Sequence, residues 1–253
     1  MSILKVEGIS KMFGGLYAVK DISIEANEGE ILSIIGPNGA GKSTLYNLIT
    51  RIYDCTEGKI SFQNKDITRI APYKLAGLGI SRTFQNIELF AELTTLENVM
   101  VGGYVKGKVG FTSSLFGNGS RNEEQRIKQI ALEKIQQLGL EDYAELEAVK
   151  MPYGRQRMVE LARALMTSPK ILLLDEPAAG LNGIESKELT HTLIKLKNEG
   201  VCVILIEHDM DTVMDVSDKI MVMNYGEKLA EGTPEEIQKN QKVINAYLGE
   251  EVY

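Results

Sequence analysis

Fully apolar stretches alternate with longer segments of helical periodicity, and this pattern predicts the architecture of the chain. Residues 31–35, 171–174 and 201–206 are apolar at nearly every position. A strand with that pattern is buried on both faces, and buried strands that alternate with helices form parallel sheets. We therefore expect an α/β core with a mainly parallel sheet that helices cover on both faces.

Strand patterns dominate the first third of the chain, and helical patterns dominate the middle third. Residues 1–35 contain short β-like stretches separated by turns, and residues 58–67 form a second strand region. The helical pattern that follows breaks the alternation of strands and helices. We expect a helical insertion at residues 88–168, within a core formed by residues 1–87 and 169–253.

Several segments predict individual helices. Residues 123–138 and 189–196 have helical periodicity, and residues 158–165 are predicted to form a helix that the segment 151–157 precedes. Thr233-Pro234-Glu235-Glu236 predicts a helix start, with a threonine cap and a proline in the first turn. The glycine- and serine-rich segment 107–120 is either a mobile loop or a hairpin that faces a partner.

A glycine-rich loop follows the first buried strand and is the most specific chemical motif of the chain. Its residues are Gly36, Pro37, Asn38, Gly39, Ala40, Gly41, Lys42, Ser43 and Thr44. Glycines let the backbone N–H groups turn towards a polyphosphate, and the following helix start attracts an anion. Lys42 adds a cation for the outer phosphates, and the Ser43 hydroxyl can ligate magnesium. The alternative is a chance glycine-rich turn, which the flanking strand and helix patterns disfavour.

Composition limits the classes of protein that fit. Of the 253 residues, 43% are hydrophobic and 25% are charged, as in ordinary soluble globular proteins. The longest apolar run, residues 201–206, is too short to span a membrane, and residues 1–8 resemble no secretory signal. The net charge of −7 disfavours binding to nucleic acid or anionic lipid. We expect a cytoplasmic protein with no nucleic-acid partner and with reduced cysteines at Cys55 and Cys202.

Acidic residues and a histidine follow two of the predicted buried strands. Asp175 and Glu176 come directly after residues 171–174, and His208 comes shortly after residues 201–206. At the carboxyl edge of such a sheet, Asp175 can serve magnesium and Glu176 can polarise the water that attacks a γ-phosphate. His208 can hydrogen-bond that phosphate, although a lone histidine there is more often a local hydrogen-bonder. The acids alone would indicate a solvated strand end, but the phosphate loop favours a catalytic interpretation.

Two further candidates depend on context. Gln85 lies where the strand-rich sequence meets the helical insertion, and an amide there can ligate magnesium or position water. Phe13 precedes two glycines and can stack on a base. The alternatives are a solvated turn residue for Gln85 and a buried core residue for Phe13. Residues 151–157 fit either a glycine turn that opens a helix and binds an anion, or a loop with a basic rim.

Taken in order, these motifs resemble the nucleotide-binding subunits of ABC transporters over essentially the whole chain. The resemblance implies a P-loop NTPase core with a mainly parallel sheet, an N-terminal antiparallel β subdomain and a helical insertion. It implies that Phe13 is the adenine platform, Asp175 the magnesium-associated aspartate, Glu176 the catalytic glutamate and His208 the switch histidine. It also implies a dimer in which each ATP lies between the phosphate loop of one subunit and the signature segment of the other.

The signature segment departs from the Leu-Ser-Gly-Gly-Gln that is common in that family. It consists of Met151, Pro152, Tyr153, Gly154 and Arg155. The serine hydroxyl expected on the partner's γ-phosphate is missing, and Pro152 has no backbone N–H. Either the site formed with the partner is weakened or Arg155 compensates electrostatically, and the sequence leaves both open. Asn182 likewise stands where an aspartate is usual.

Four segments narrow the resemblance to the ATP-binding subunits of branched-chain amino acid importers, namely residues 82–90, 152–154, 176–182 and 246–250. This implies an ATP hydrolase that uses ATP and Mg²⁺. The implied partners are a second ABC ATPase, identical or related, two transmembrane permease subunits and an extracytoplasmic solute-binding protein. The chain would be peripheral on the inner face of the cell membrane. Relatives of this group import urea, short amides or aromatic acids, so the solute stays open.

Two other classes are compatible with a phosphate loop. A soluble ABC protein that acts on nucleic acid or the ribosome is disfavoured by the net acidity and by the lack of an Arg/Lys-rich arm. A P-loop GTPase is disfavoured because the chain lacks the guanine-reading Asn-Lys-x-Asp. In Asn64-Lys65-Asp66 the acid comes one place early.

Overall fold

The computed structural model describes residues 1–83, 87–106 and 118–248. Gln85 and residues 107–117 of the glycine-rich segment lie outside the described residues. The strands are β1 Ser2–Phe13, β2 Leu16–Asn27, β3 Ile31–Ile35, β4 Glu57–Phe62, β5 Lys65–Asp66, β6 Ile80–Arg82, β7 Ile171–Asp175, β8 Cys202–Ile206, β9 Lys219–Asn224 and β10 Glu227–Gly232. The α-helices are α1 Lys42–Ile49, α2 Leu75–Leu78, α3 Thr95–Val101, α4 Asn118–Gln137, α5 Tyr153–Leu165, α6 Gly183–Asn198, α7 Met210–Val216, α8 Pro234–Gln238 and α9 Gln241–Leu248.

A six-stranded sheet forms the centre of the molecule, with strand order β10-β9-β3-β8-β7-β6. All neighbouring strands run parallel except β9 and β10, which form an antiparallel edge pair. Every residue of β3, β7 and β8 is buried. The predicted α/β core with a mainly parallel sheet is therefore confirmed.

The N-terminal strands form a separate antiparallel sheet with the order β2-β1-β4-β5. The hairpin between β1 and β2 turns at Gly14 and Gly15, which have φ angles of 54° and 88°. Those angles lie in the left-handed region, where glycine carries no steric penalty. The antiparallel β subdomain that the resemblance implied is thus present.

The two faces of the central strands pack against different groups of side chains. On one face, Ile171 and Leu173 of β7 join a core that includes α1 and the antiparallel sheet. On the other face, Leu172 and Leu174 of β7 join a core that includes side chains of α3, α4, α5 and α6. The side chains on both faces of β7 therefore bury apolar area, which is why consecutive residues of this strand are apolar.

Helix α5 begins earlier than the sequence pattern predicted. The predicted start was Met158, whereas the structure begins the helix at Tyr153, directly after Pro152. The backbone N–H groups of Arg155 and Gln156 both donate to the Pro152 carbonyl oxygen, at 2.9 and 3.1 Å. Pro152 is the N-cap of the helix, with φ −53° and ψ 147°, so the chain is extended there and becomes helical at Tyr153. The segment is therefore the first turn of the helix and not a loop with a basic rim.

Other local predictions hold. Thr233 caps α8 and forms a capping box with Glu236, and Pro234 occupies the first turn as predicted. Cys55 and Cys202 are both free, and Cys202 is buried.

Among the described residues, none of the helices has the length and apolar character needed to cross a membrane.

Gly102 allows a close approach between α3 and α5, and this contact gives a test of the helical packing. A Cβ atom on Gly102 would overlap the backbone carbonyl oxygen of Arg163. Gly102→Ala is therefore expected to lower the free energy of unfolding by about 1–3 kcal/mol, because the backbone at residue 102 or at Arg163 must move to make room for the new methyl group. Urea denaturation measures the change. Gly77→Ala is the control, because a Cβ there meets nothing within 4 Å, and equal losses for both variants would contradict the close contact.

Candidate active site

The glycine-rich loop connects β3 to α1, as predicted. Gly36, Gly39 and Gly41 have φ angles of 150°, 80° and 98°. A Cβ atom would overlap the carbonyl oxygen of Met223 at Gly36 and that of Ala18 at Gly41. Gly41 is also the N-cap of α1 and supplies no side-chain cap to the first N–H groups of the helix. An oxyanion can therefore approach this backbone and the positive end of the helix dipole.

Lys42 points its ammonium group back into the loop. Its Nζ donates to the carbonyl oxygens of Gly36 at 2.6 Å and Pro37 at 3.0 Å, and only 8% of the residue is exposed. Burial lowers the pKa of Lys42, and the negative charges of Glu176 and Asp175 oppose that effect. The lysine thus has two neutral acceptors, and a phosphate oxygen is a stronger, charged acceptor for it.

Tyr46 anchors the helix that follows the loop. Its hydroxyl donates to the carbonyl oxygen of Thr83 at 2.6 Å, at the end of β6, and is 3.4 Å from that of Leu173 in β7. Burial raises the pKa of Tyr46, so the group stays a protonated donor. The phosphate-loop helix is therefore fixed to the strand end that leads towards residues 84–86.

The parallel strands bring the predicted acids and the histidine to the edge where the loop lies. Strand β7 ends at Asp175, and Glu176 lines a cleft of about 580 Å³ together with residues 38–44. His208 follows β8, and its Nδ1 is 3.7 Å from Oε1 of Glu176. The structure thus brings Lys42, Glu176 and His208 to one edge, as the sequence predicted; what each residue does there is still a prediction.

Asp175 is held in an environment that disfavours its charge. It is 8% exposed, and burial, together with the negative charges of Glu176 and Glu207, raises its pKa to about 6. Its carboxylate and the exposed hydroxyl of Ser43 are both oxygen donors, the type that Mg²⁺ prefers. A divalent cation beside Asp175 would favour the ionised form, so the chemistry of this pair fits the metal.

Phe13 is not a core residue, so that alternative is wrong. It is 46% exposed, and its ring lies edge-on to Tyr53 with centroids 5.5 Å apart. Phe13 does not line the cleft beside the phosphate loop, whereas Leu16 and Tyr17 of the same hairpin do. Its role as adenine platform stays a prediction. Tyr17, which is 41% exposed, is an aromatic candidate that the sequence analysis did not consider.

The signature segment packs against the start of α6 in its own chain. A Cβ atom on Gly154 would overlap the carboxyl group of Glu185, and one on Gly180 would lie 3.0 Å from the ring of Tyr153. Nη2 of Arg155 is 3.2 Å from Oε1 of Glu188. The guanidinium that was considered as an electrostatic substitute for the missing serine therefore already has a carboxylate partner.

Asn182, the other departure from the family pattern, has a clear structural use. Its side-chain oxygen accepts hydrogen bonds from the N–H groups of Ile184 at 2.9 Å and Glu185 at 3.1 Å. Asn182 is thus the N-cap of α6, with Glu185 completing a capping box. Asparagine and aspartate are about equally good caps, so this substitution leaves the helix start intact.

Glu207 is the residue of this region that the sequence analysis missed as a site component. Its side chain is fully buried, and its carboxylate accepts hydrogen bonds from the N–H groups of Ala178, His208 and Asp209. A glutamate directly after an apolar strand resembles a solvated strand end. Only its position immediately before His208 could have suggested a role.

The chain matches known protein families and is similar to curated relatives over nearly its whole length. The ABC transporter family model matches residues 19–179, and the model "Branched-chain amino acid ATP-binding cassette transporter" matches residues 227–253. The chain is 44% identical to the high-affinity branched-chain amino acid transport ATP-binding protein BraF of Pseudomonas aeruginosa, over 98% of both proteins. It is 43% identical to LivG of Escherichia coli K12, again over 98% of each.

Solved structures agree with the sequence matches. The ADP conformation of MJ1267, an ATP-binding cassette of an ABC transporter, superposes with a TM-score of 0.87 and 36% identity, covering 98% of this chain and 99% of that one. A dimeric ABC transporter cassette, MJ0796, gives a TM-score of 0.78 and 28% identity, with coverages of 92% and 99%.

The raised pKa of Asp175 predicts that removing its charge stabilises the folded protein, by an amount that depends on pH. The folded-state pKa is about 6 and the ordinary value is 3.8, so the folded protein holds this proton more tightly than the unfolded chain. Stability is therefore lost as the pH rises through that window. Asp175→Asn is expected to raise the free energy of unfolding by about 3 kcal/mol at pH 8, and progressively less towards pH 4.5.

Urea denaturation between pH 4.5 and 8, in the presence of a chelator and without nucleotide, measures this gain. Asp215→Asn, which neutralises an exposed carboxylate on α7, is the control and is expected to leave stability nearly unchanged. A gain from Asp175→Asn that is the same at every pH, or a loss at pH 8, would contradict the assignment.

Proposed function

The chain belongs to the ABC transporter family of ATP-hydrolysing subunits, and from that premise we propose that it powers the uptake of branched-chain amino acids or a related small polar solute. The chain binds nucleotide and hydrolyses ATP, as the family does. One observation carries the site assignment. The phosphate loop and Glu176 line the same cleft, and His208 lies beside Glu176.

The loop and Lys42 hold the triphosphate. The backbone N–H groups of Gly39 and of residues 41–44 turn towards the phosphates, and the ammonium of Lys42 exchanges its carbonyl partners for phosphate oxygens. Ser43, Asp175 and Gln85 are the residues that would hold Mg²⁺, which would supply positive charge to the bound phosphates. Phe13 stacks on the adenine.

Glu176 and His208 carry the chemical step. Glu176 accepts a hydrogen bond from a water, whose oxygen attacks the γ-phosphorus as the bond to the bridging oxygen of ADP breaks. The proton of the water passes to Glu176 and from there to solvent, and the products are ADP and inorganic phosphate. His208 hydrogen-bonds the γ-phosphate and orients the water, which its position 3.7 Å from Glu176 supports.

Residues 152–155 of the signature segment close the site of a second subunit, identical or related. Pro152 supplies neither a hydroxyl nor an N–H, and Arg155 already pairs with Glu188. The positive end of α5, which begins at Tyr153, is then the main attraction for the partner's γ-phosphate. A composite site made this way is weaker than one with the common signature, which favours a partner with a different signature segment.

A second cavity supports docking to permease subunits. It has a volume of about 600 Å³ and lies between strand β6 and helix α5. Its lining includes the exposed rings of Tyr73 and Phe90, with Glu160 and Arg163 among the polar members. Residues 88–168 act as a helical subdomain that passes motion from the ATP site to the permease. Through it the chain sits peripherally on the inner face of the cell membrane.

The identity of the solute is inferred from relatives. BraF and LivG are named for branched-chain amino acids, and both are matched over 98% of their length. The match of residues 227–253 to a branched-chain model extends the likeness to the C-terminal segment. An extracytoplasmic solute-binding protein delivers the solute, because this subunit does not contact it.

Glu176→Gln tests the chemical assignment. Without the carboxylate the attacking water loses its proton acceptor, so we expect ATP turnover to fall by about a hundredfold or more, with ATP binding retained. The trapped ATP is expected to stabilise a dimer, which size-exclusion chromatography with light scattering detects. Glu133→Gln, which changes an exposed glutamate on α4, is the control. Turnover at the wild-type rate in Glu176→Gln would refute the assignment.

Tyr73→Ala combined with Phe90→Ala tests the docking surface. The double variant is expected to bind ATP normally. The amount of it that co-purifies with membranes containing the co-expressed permeases is expected to fall at least tenfold, because both exposed rings are removed from the cavity. Tyr104→Ala is the control, because Tyr104 is 56% exposed and does not line this cavity. Equal membrane association of the wild type, the double variant and Tyr104→Ala would argue against docking at this cavity.

A further inference from the structure

Glu207 is a fully buried carboxylate at the end of β8, beside the residues that carry the proposed chemistry. Among the described residues, its one ion-pair neighbour is His208, whose Nδ1 is 4.0 Å away. A buried carboxylate without a Lys or Arg partner is unfavourable unless hydrogen bonds satisfy it. Glu207 therefore depends on the hydrogen bonds that it accepts, and an apolar residue at this position would accept none of them.

The two oxygens of Glu207 are divided between two loops. Oε1 accepts from the N–H of Ala178 at 2.7 Å, in the loop after β7. Oε2 accepts from the N–H groups of His208 at 3.0 Å and Asp209 at 3.3 Å, in the loop after β8. An ionised carboxylate offers acceptors on both oxygens, whereas a glutamine amide would direct a donor at one of the two loops.

The bridge joins the residues on which hydrolysis depends. Ala178 lies two positions after Glu176, and His208 directly follows Glu207. The strands are already in register, with Asp175 beside Ile206. We propose that Glu207 is a positioning residue that holds the loops after β7 and β8 together and so keeps His208 beside Glu176. The proposal rests on the roles given above to Glu176 and His208.

The same bridge reaches towards the signature segment. The loop after β7 continues from Ala178 through Gly180, which packs under the ring of Tyr153, to Asn182 at the cap of α6. On the other side, Asp209 caps α7 by accepting from the N–H of Thr212 at 2.7 Å. Both loops are therefore anchored at their far ends. At their near ends, the N–H of Glu176 donates to the carbonyl oxygen of Ile206 at 2.8 Å, and the side chain of Glu207 adds a second link that reaches further into both loops.

Glu207→Gln in the full-length chain tests the proposal, because it keeps the shape and turns one acceptor into a donor. Misplacement of His208 is expected to lower kcat for ATP about tenfold to a hundredfold, while KM for ATP changes less than about twofold. Glu207→Asp keeps the charge but reaches only one loop, so its kcat is expected to lie between. If Glu207→Gln does not fold, Glu207→Asp carries the test by the same criteria.

Glu236→Gln is the control for loss of a carboxylate that accepts a backbone N–H, because Oε2 of the exposed Glu236 accepts from Thr233 at 2.8 Å in the α8 cap. It is expected to leave kcat and KM unchanged. Thermal unfolding of all variants shows whether a fall in kcat merely follows a loss of stability.

A double-mutant cycle with His208→Ala separates positioning from a general structural role. If Glu207 acts through His208, Glu207→Gln lowers kcat less than about twofold further in the His208→Ala background. An equal fall in both backgrounds, or an unchanged kcat in the single variant, overturns the inference about Glu207. An unchanged kcat in His208→Ala overturns instead the role of His208 in the proposed function.

Discussion

Burial of the central strands on both faces is the constraint from which the rest of the structure follows. Strands β3, β7 and β8 have no exposed residue, so polar chemistry can occur only at their ends. Because these strands run parallel, their carboxyl ends meet at one edge. The phosphate loop follows β3, Glu176 follows β7 and His208 follows β8. The pairing of the strands alone therefore brings these residues to the same edge of the sheet.

The same edge concentrates negative charge. Asp175, Glu176 and Glu207 lie there with the ammonium of Lys42 nearby, and the burial of Asp175 raises its pKa to about 6. A γ-phosphate adds further negative charge, so positive groups beyond Lys42 and the start of α1 favour ATP binding. Mg²⁺ and the positive end of the partner's signature helix are the two that the proposed function supplies. In the proposed function, this electrostatic demand links hydrolysis to closure of the dimer.

The sequence predicted the sheet and the loop well, because long apolar runs form buried strands and glycines spaced between a strand and a helix are typical of phosphate loops. It placed the start of α5 too late, because the polar residues Arg155 and Gln156 occupy the first turn, which begins directly after Pro152, and hide its periodicity. The role of Glu207 could not be predicted, because its burial and its bond to Ala178 arise from the pairing of β7 with β8. Gln85 lies outside the described residues, so its role is still a prediction.

The most direct measurement is the position of the Lys42 ammonium in a crystal structure of the chain with Mg²⁺ and a non-hydrolysable ATP analogue. Nζ of Lys42 donates to the carbonyl oxygens of Gly36 and Pro37 in the structure described above. With nucleotide, we expect Nζ within hydrogen-bond distance of a β- or γ-phosphate oxygen and Glu176 facing the γ-phosphate. A nucleotide bound away from the loop, or an ammonium that keeps both carbonyl partners, would contradict the site.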